Sequence, residues 1–193
     1  NCDWSSDVCS SDLLDFYAAT GEPDLRAIVP NLMFRNDSGR RFQDVTTSGG
    51  FGNIQKGHGV AFGDLDHDGD QDIYAVMGGS LSGDTYHNLL LLNPGSRHRW
   101  LTLRLEGVKS NRSAIGARIH LRLETPGGVR DLHTVAGTGG SFGSSSLQQE
   151  LGLGDATRIV SLRIAWPGGA VQTFEDVPMD RVLFVREGGA LQE

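Results

Sequence analysis

The sequence repeats part of itself at an offset of 57 residues, and this repeat restricts the possible folds more than any other feature of the chain. Within the 26 positions from Asp15 to Arg40, eight residues recur without a gap. They are Asp15, Tyr17, Ala18, Gly21, Asn31, Leu32, Asn36 and Arg40, which match Asp72, Tyr74, Ala75, Gly78, Asn88, Leu89, Asn93 and Arg97. This agreement is well above chance, so we expect the two segments to fold alike.

Each copy of the repeat contains two short apolar stretches. They lie at 16–19 and 32–35 in the first copy and at 73–76 and 89–92 in the second. Gly, Asp and Asn residues separate them without an amphipathic helical pattern, which predicts short β-strands joined by turns. A 57-residue period is long for a solenoid coil and suits a four-stranded propeller blade. One blade cannot bury both of its faces, so we expect partial propeller blades that belong to a larger array.

An acidic loop lies between the two copies. With Asp64 counted as loop position 1, Gly69 stands at position 6, where it permits a sharp turn. Oxygen donors in large number favour Ca²⁺ over Mg²⁺, and neither Cys nor His has the spacing of a zinc site. An acidic turn without an ion is the alternative. The predicted Ca²⁺ ligands are Asp64, Asp66, Asp68 and Asp72 at positions 1, 3, 5 and 9, with the backbone carbonyl of Asp70 at position 7.

An EF-hand begins in the same way, but it needs flanking helices and a Glu at position 12, where this sequence has Ala75. Residues 59–74 and the flanking Asn-Leu-x-x-x-Asn strands resemble instead the FG-GAP/VCBS repeats of integrin-α-type β-propellers and of cartilage acidic protein relatives. That resemblance implies a D-x-D-x-D-G-x-x-D calcium loop. It matches residue for residue at Asp64, Asp66, Asp68, Gly69 and Asp72.

From about Trp100 the pattern changes to longer stretches in which apolar and polar residues alternate. Gly-containing turns such as Pro126-Gly127-Gly128 separate them. Strict alternation with such turns predicts an all-β, antiparallel β-sandwich. Arg118, His120 and Arg122 form a basic stripe on an outer face, which is either a solvated surface or a ligand site. The predicted strands are 100–106, 117–123, 129–135, 147–153, 159–166, 171–177 and 182–185.

This second region resembles the ASPIC/UnbV domain over nearly its whole length. The matching phrases are residues 107–118, 151–154 and 166–169, of which the first is long and specific. The resemblance implies a domain that follows VCBS/FG-GAP repeats in secreted or cell-surface proteins. Two polar loops, 110–116 and 137–146, are either a binding rim or structural turns, since sandwich loops cluster at the ends.

Residues 3–13 resemble the translation of a short-read sequencing adapter, so residues 1–13 are interpreted as an artefact. Both cysteines fall in that segment, which removes any argument from disulfides.

The predicted domains are then a repeat region at 14–97 and a sandwich at 98–190. A net charge of −7 without a basic block argues against nucleic acid as a partner, and no apolar run is long enough to span a membrane.

No nucleophile elbow, phosphate loop or dinucleotide fingerprint occurs in the sequence. Glu106, Glu150 and Asp176 are the candidates for a paired-carboxylate hydrolase. The sequence therefore favours a non-enzymatic, calcium-binding extracellular module for binding or adhesion, C-terminal in a larger secreted or surface protein of bacterial origin. Its expected partner is a protein or a glycan. The alternative is part of a secreted polysaccharide-active enzyme or its accessory domain.

Overall fold

The computed structural model describes residues 14–21, 24, 26, 28–37, 39–79, 82–94, 98–139 and 144–193. The segment interpreted as an adapter lies outside these residues. The described residues form fourteen β-strands and no helix, so the all-β fold class is confirmed. It follows that no helix in the described part of the chain could span a membrane. The chain divides into two compact units, 1–96 with 139–145 and 97–138 with 146–193.

The first unit contains two three-stranded antiparallel sheets, each ordered as the chain runs. They place the two copies of the repeat in equivalent positions, because β1 and β2 recur as β5 and β6 at the 57-residue offset. The strands are β1 (Phe16–Ala18), β2 (Leu32–Asp37) and β3 (Arg41–Asp44) in one sheet, and β4 (Gly57–Gly63), β5 (Asp72–Met77) and β6 (Leu89–Leu91) in the other.

Taken together, the two copies display the four strands that a propeller blade requires. The second copy shows the strand before the repeated pair, β4, and the first copy shows the strand after it, β3. At the same offset the counterpart of β4 would fall before residue 7, outside the described residues, and the counterpart of β3 would fall at 98–101. The latter position is occupied by the first strand of the second unit. Each sheet therefore shows three strands of the predicted four.

The buried side chains of the first unit come from both of its sheets. Two of the largest, Met33 and Phe51, are each 1% exposed. The cluster comprises Tyr17, Met33, Val45, Phe51, Ile73, Ala75 and Met77, with Val60, Phe62, Leu89 and Leu91 packed against it. The opposite faces remain partly open, since Phe16, Phe42 and Tyr74 are all more than 40% exposed.

The second unit is a sandwich of two four-stranded sheets. Its sheets are ordered β10-β7-β13-β14 and β12-β11-β8-β9. Neighbouring strands are antiparallel except β7 and β13, which pair in parallel. The strands are β7 (Arg99–Glu106), β8 (Arg118–Thr125), β9 (Gly128–Val135), β10 (Gln149–Gly154), β11 (Arg158–Ala165), β12 (Val171–Val177), β13 (Val182–Arg186) and β14 (Leu191–Gln192).

Alternation along these strands explains the core of the sandwich. In β8 the inward residues Ile119, Leu121 and Leu123 are at most 1% exposed, while Arg118 and Arg122 point outward. Nineteen buried residues from β7 to β13 and their connections form one cluster in the described part of the chain. Burying a Leu or Ile side chain stabilises a fold by about 1.5–3 kcal/mol, so this cluster is the main stabilising feature of the unit.

Candidate metal site

The acidic loop joins β4 to β5, and their antiparallel pairing brings its two ends together. Gly63 and Asp72 are directly opposite each other in the register of this hairpin. The eight residues between them must therefore reverse the chain in a compact loop. Two of these residues have a positive φ, 64° at His67 and 97° at Gly69, which makes the turn tight.

Three of the five predicted ligands lie close together. One carboxylate oxygen from each of Asp64, Asp66 and Asp68 lies within 4.8 Å of the other two. Two oxygens bound to the same Ca²⁺ at its usual distances can be at most about 5 Å apart. These three side chains therefore fit a single Ca²⁺ ion, as the spacing of positions 1, 3 and 5 predicts.

Backbone amides within the loop hold two of these carboxylates in place. Asp68 and Gly69 each donate a backbone N–H to Asp64, over 3.1 Å in both cases. Asp70 donates its backbone N–H to Asp68 Oδ1 over 3.0 Å. Asp66 lies between these contacts and is exposed, as is His67. The loop thus orients Asp64 and Asp68 through its own backbone, and it leaves Asp66 open to solvent.

The other two predicted ligands occupy different positions. The side chains of Asp70 and Asp72 are buried, at 6% and 1% exposure, and the Asp72 carboxylate does not belong to the three-carboxylate cluster, while Asp70 is predicted to bind through its backbone carbonyl. Both oxygens of Asp72 accept backbone N–H groups, Oδ1 from Asn93 over 2.8 Å and Oδ2 from Leu65 over 2.9 Å. In this structure Asp72 therefore connects the loop and the strand β5 to the segment that follows β6.

The first copy of the repeat contains the same connection. Asp15 Oδ1 accepts the backbone N–H of Asn36 over 2.6 Å, and Asp15 and Asn36 precede Asp72 and Asn93 by 57 residues. Likewise Asn31 accepts the N–H of Thr20 over 2.9 Å. Its counterpart Asn88 accepts the N–H of Met77, over 3.2 Å. Three of the eight repeated residues, Asp15, Asn31 and Asn36, thus have a structural explanation that the metal hypothesis does not provide, and the repeat itself was the signal for them.

The cluster is strongly acidic. The pKa of the Asp68 carboxyl is raised, first because the loop partly shields it from water and then because Asp66, Asp70 and Asp64 carry the same charge. A backbone hydrogen bond from Asp70 acts in the opposite direction. Both the shielding from water and the neighbouring carboxylates disfavour the ionised form of Asp68, whereas a nearby positive charge would favour it. A divalent cation would supply that charge.

In the second unit, hydrogen bonds fix the conformation of the loop at 110–116. Asn111 donates to the carbonyl of Ile115 and accepts the Ile115 N–H, over 2.8 and 2.9 Å. Glu187 Oε2 accepts three successive backbone N–H groups, from Val108, Lys109 and Ser110, over 2.7–2.8 Å. These contacts explain why the phrase at 107–118 is so specific, and sequence reasoning missed Glu187 because it is about 80 residues away.

The second polar loop, 137–146, lies partly outside the described residues, which exclude 140–143. Residues 139–145 group with the first unit, where Ser145 Oγ accepts the backbone N–H of Phe62 over 3.4 Å.

Two of the hydrolase candidates are held by arginines, Glu106 by Arg112 over 3.6 Å and Asp176 by Arg158. Glu150 accepts a long hydrogen bond from Gln148, over 3.5 Å.

Two family models match the chain. The model of the FG-GAP-like repeat matches residues 11–75, and the model named ASPIC and UnbV matches residues 107–192. The matches have the order and nearly the positions that the sequence motifs predicted, so that prediction is confirmed. No curated protein sequence matches the chain.

Proposed function

We propose that this chain, in which an FG-GAP-like repeat precedes an ASPIC/UnbV domain, is a calcium-stabilised binding module that acts outside the cell without catalysis. The observation that carries the proposal is the convergence of Asp64, Asp66 and Asp68 within 4.8 Å, in the loop that closes the β4–β5 hairpin. The FG-GAP-like match supports it, because both domain types suggest an extracellular repeat module.

Calcium would act on the stability of the hairpin. Two unit charges 4 Å apart repel each other by about 4 kcal/mol at an effective dielectric constant near 20, and three carboxylates in this loop face that repulsion. A Ca²⁺ ion held by Asp64, Asp66 and Asp68 would replace repulsion by attraction. The backbone amides that already orient Asp64 and Asp68 lower the cost of ordering the site.

The calcium proposal predicts a gain in stability that depends on one side chain. Sites in extracellular modules often have a dissociation constant of about 10⁻⁴ M, for which about 2 mM Ca²⁺ stabilises the folded state by about 1.8 kcal/mol. Asp66→Ala should abolish this gain, because Asp66 is a cluster carboxylate without a backbone hydrogen bond in the loop. The measurement is urea unfolding of the full chain with calcium and with chelator.

His67→Ala is the matched control, because His67 is the next residue in the same exposed turn but offers no carboxylate. Its positive φ makes the alanine variant less stable in every buffer, so only the calcium-dependent difference within each variant is compared. The control should keep the full gain. Equal calcium stabilisation of the wild type and Asp66→Ala would remove the site assignment.

The proposed binding role has a separate test. The full chain is immobilised and exposed to an array of extracellular glycans and proteins, and the same preparation is incubated with a panel of hydrolase and lyase substrates. A partner that binds without any substrate being turned over supports the proposed binding role. Turnover that is lost when Glu106, Glu150 or Asp176 is replaced by its amide would establish an enzyme instead.

A further inference from the structure

The outer face of one sandwich sheet carries an ordered arrangement of basic side chains. The register of β9, β8, β11 and β12 places His133, His120, Arg163 and Thr173 side by side in one row across the sheet. The adjacent row contains Val135, Arg118, Ala165 and Val171. These two rows carry two arginines, two histidines and no carboxylate.

The two rows border a groove with a volume of about 240 Å³. Arg118, His120, His133, Val135 and Arg163 are among the residues that line it. The imidazole rings of His120 and His133 stack with centroids 4.3 Å apart and planes within 2° of parallel. The groove is therefore lined by a stacked pair of imidazole rings, by two arginines and by an apolar valine.

Two arginines, Arg118 and Arg163, line the groove. Among the described residues, neither the Arg118 nor the Arg163 side chain makes a hydrogen bond or an ion pair. Each guanidinium group presents five N–H donors in a planar arrangement that matches a carboxylate or a phosphate. The groove thus offers unpaired donors and positive charge, and its two rows contain no carboxylate.

The acidic side chains of the same face lie in the rows beyond it, and of these Asp131, Glu124 and Asp176 have partners, whereas Glu175 opposite Ser161 makes no hydrogen bond or ion pair among the described residues. Asp131 Oδ1 is 2.8 Å from His120 Nε2 and lies opposite Arg122. Arg158 pairs with Asp176 and, over 3.9 Å, with Glu124. The rows beyond the groove thus carry charges of both signs, whereas the two rows of the groove carry basic groups only.

We propose that this groove binds an oxyanion, a carboxylate or phosphate group carried by a small ligand. The two guanidinium groups would hold the anion, and the stacked imidazoles with Val135 would contact the atoms that bear it. A volume of about 240 Å³ lies just below the usual range for sites of drug-sized molecules, so the groove suits an anionic group and its immediate neighbours. The positive charge of Arg118 and Arg163 disfavours a metal ion on the histidine pair. The inference does not depend on the calcium site.

The test uses the full chain and follows the imidazole NMR signals of His120 and His133 during titration at one fixed pH. The probes are trigalacturonate, inorganic phosphate and the uncharged galactotriose. We expect a saturable shift with trigalacturonate, with phosphate or with both, and none with galactotriose. A response to trigalacturonate alone identifies a carboxylate ligand, and a response to phosphate alone identifies a phosphate ligand.

Arg118→Gln and Arg163→Gln should each weaken that binding at least tenfold. Arg186→Gln is the matched control, because it removes the same charge from an exposed arginine of β13 in the other sheet, and it should leave the affinity within twofold. The proposal is overturned if neither anion gives a saturable shift, if galactotriose acts as strongly as trigalacturonate, or if all three variants bind equally. A saturable response to Zn²⁺ in place of both anions would also overturn it.

Discussion

Glu187 shows how one side chain can organise a distant loop. Three successive backbone N–H groups and the Ser110 hydroxyl converge on its carboxylate, and Ser110 Oγ in turn accepts the N–H of Gly168 over 3.0 Å. A Cβ at Gly107 would lie 2.1 Å from the carbonyl oxygen of Asn111, so only glycine permits the chain to enter this turn. The residues that make the phrases at 107–118 and 166–169 distinctive therefore meet around one carboxylate.

This carboxylate predicts an acid-sensitive contribution to stability. The Ser110 backbone N–H is the main cause that lowers the pKa of Glu187 from 4.5 to about 2. A group whose pKa is depressed by folding contributes stability above its unfolded pKa, and the contribution is lost as pH falls through the folded value. The advantage of the wild type over Glu187→Gln should thus shrink between about pH 4.5 and pH 2, as followed by urea unfolding. A difference that stays constant across this window would contradict the assignment.

At the scale of strands, the repeated Asp-to-Asn contacts join each pair of repeat strands. Asp72 accepts from Asn93, and Asp15 from Asn36, at the same place in the two sheets. The sequence alone presented Asp72 as a metal ligand, because the spacing of the loop cannot show that its two oxygens already accept backbone N–H groups.

Asp72→Asn separates these two roles. The amide NH₂ would face a backbone N–H donor, which leaves a buried donor unsatisfied and should cost about 1–3 kcal/mol. Because this loss does not involve an ion, it should appear in full in chelator, as measured by urea unfolding. Asp66→Asn, which meets no backbone donor of the loop, is the matched comparison and should be nearly neutral in chelator. Full stability of Asp72→Asn without calcium would show that Asp72 acts only as a ligand.

Local patterns predicted seven of the eight strands of the sandwich to within about two residues, because alternation there reflects a single buried face, but they missed the two-residue strand β14. The same reasoning missed β3, whose residues Arg41–Asp44 are all exposed, and β4, whose sequence contains three glycines. The parallel pairing of β7 with β13 joins segments about 80 residues apart, so no local pattern could indicate it. In the acidic loop, spacing predicted the three clustered carboxylates, whereas the positions of Asp70 and Asp72 depend on contacts made by the fold.

At the scale of the whole molecule, the two units differ in how far each is stabilised by its own core. Among the described residues, nineteen are buried in the cluster of the sandwich and seven in that of the repeat unit. Phe16 stacks on Phe34 with ring centroids 4.7 Å apart, yet Phe16 remains 43% exposed. The repeat unit thus retains apolar surface and unpaired strand edges, the features by which blades pack in an array.

This contrast predicts that the units behave differently when separated. A fragment of residues 98–193 should fold cooperatively and show the same urea midpoint with calcium and with chelator, since it keeps its entire core and lacks the acidic loop. A fragment of residues 14–97 should aggregate, because its exposed apolar faces and edges have no cover. Circular dichroism, urea unfolding and sedimentation velocity of both fragments measure these outcomes. A sandwich fragment that is unfolded, or whose midpoint rises with calcium, would show that its stability depends on the repeat unit.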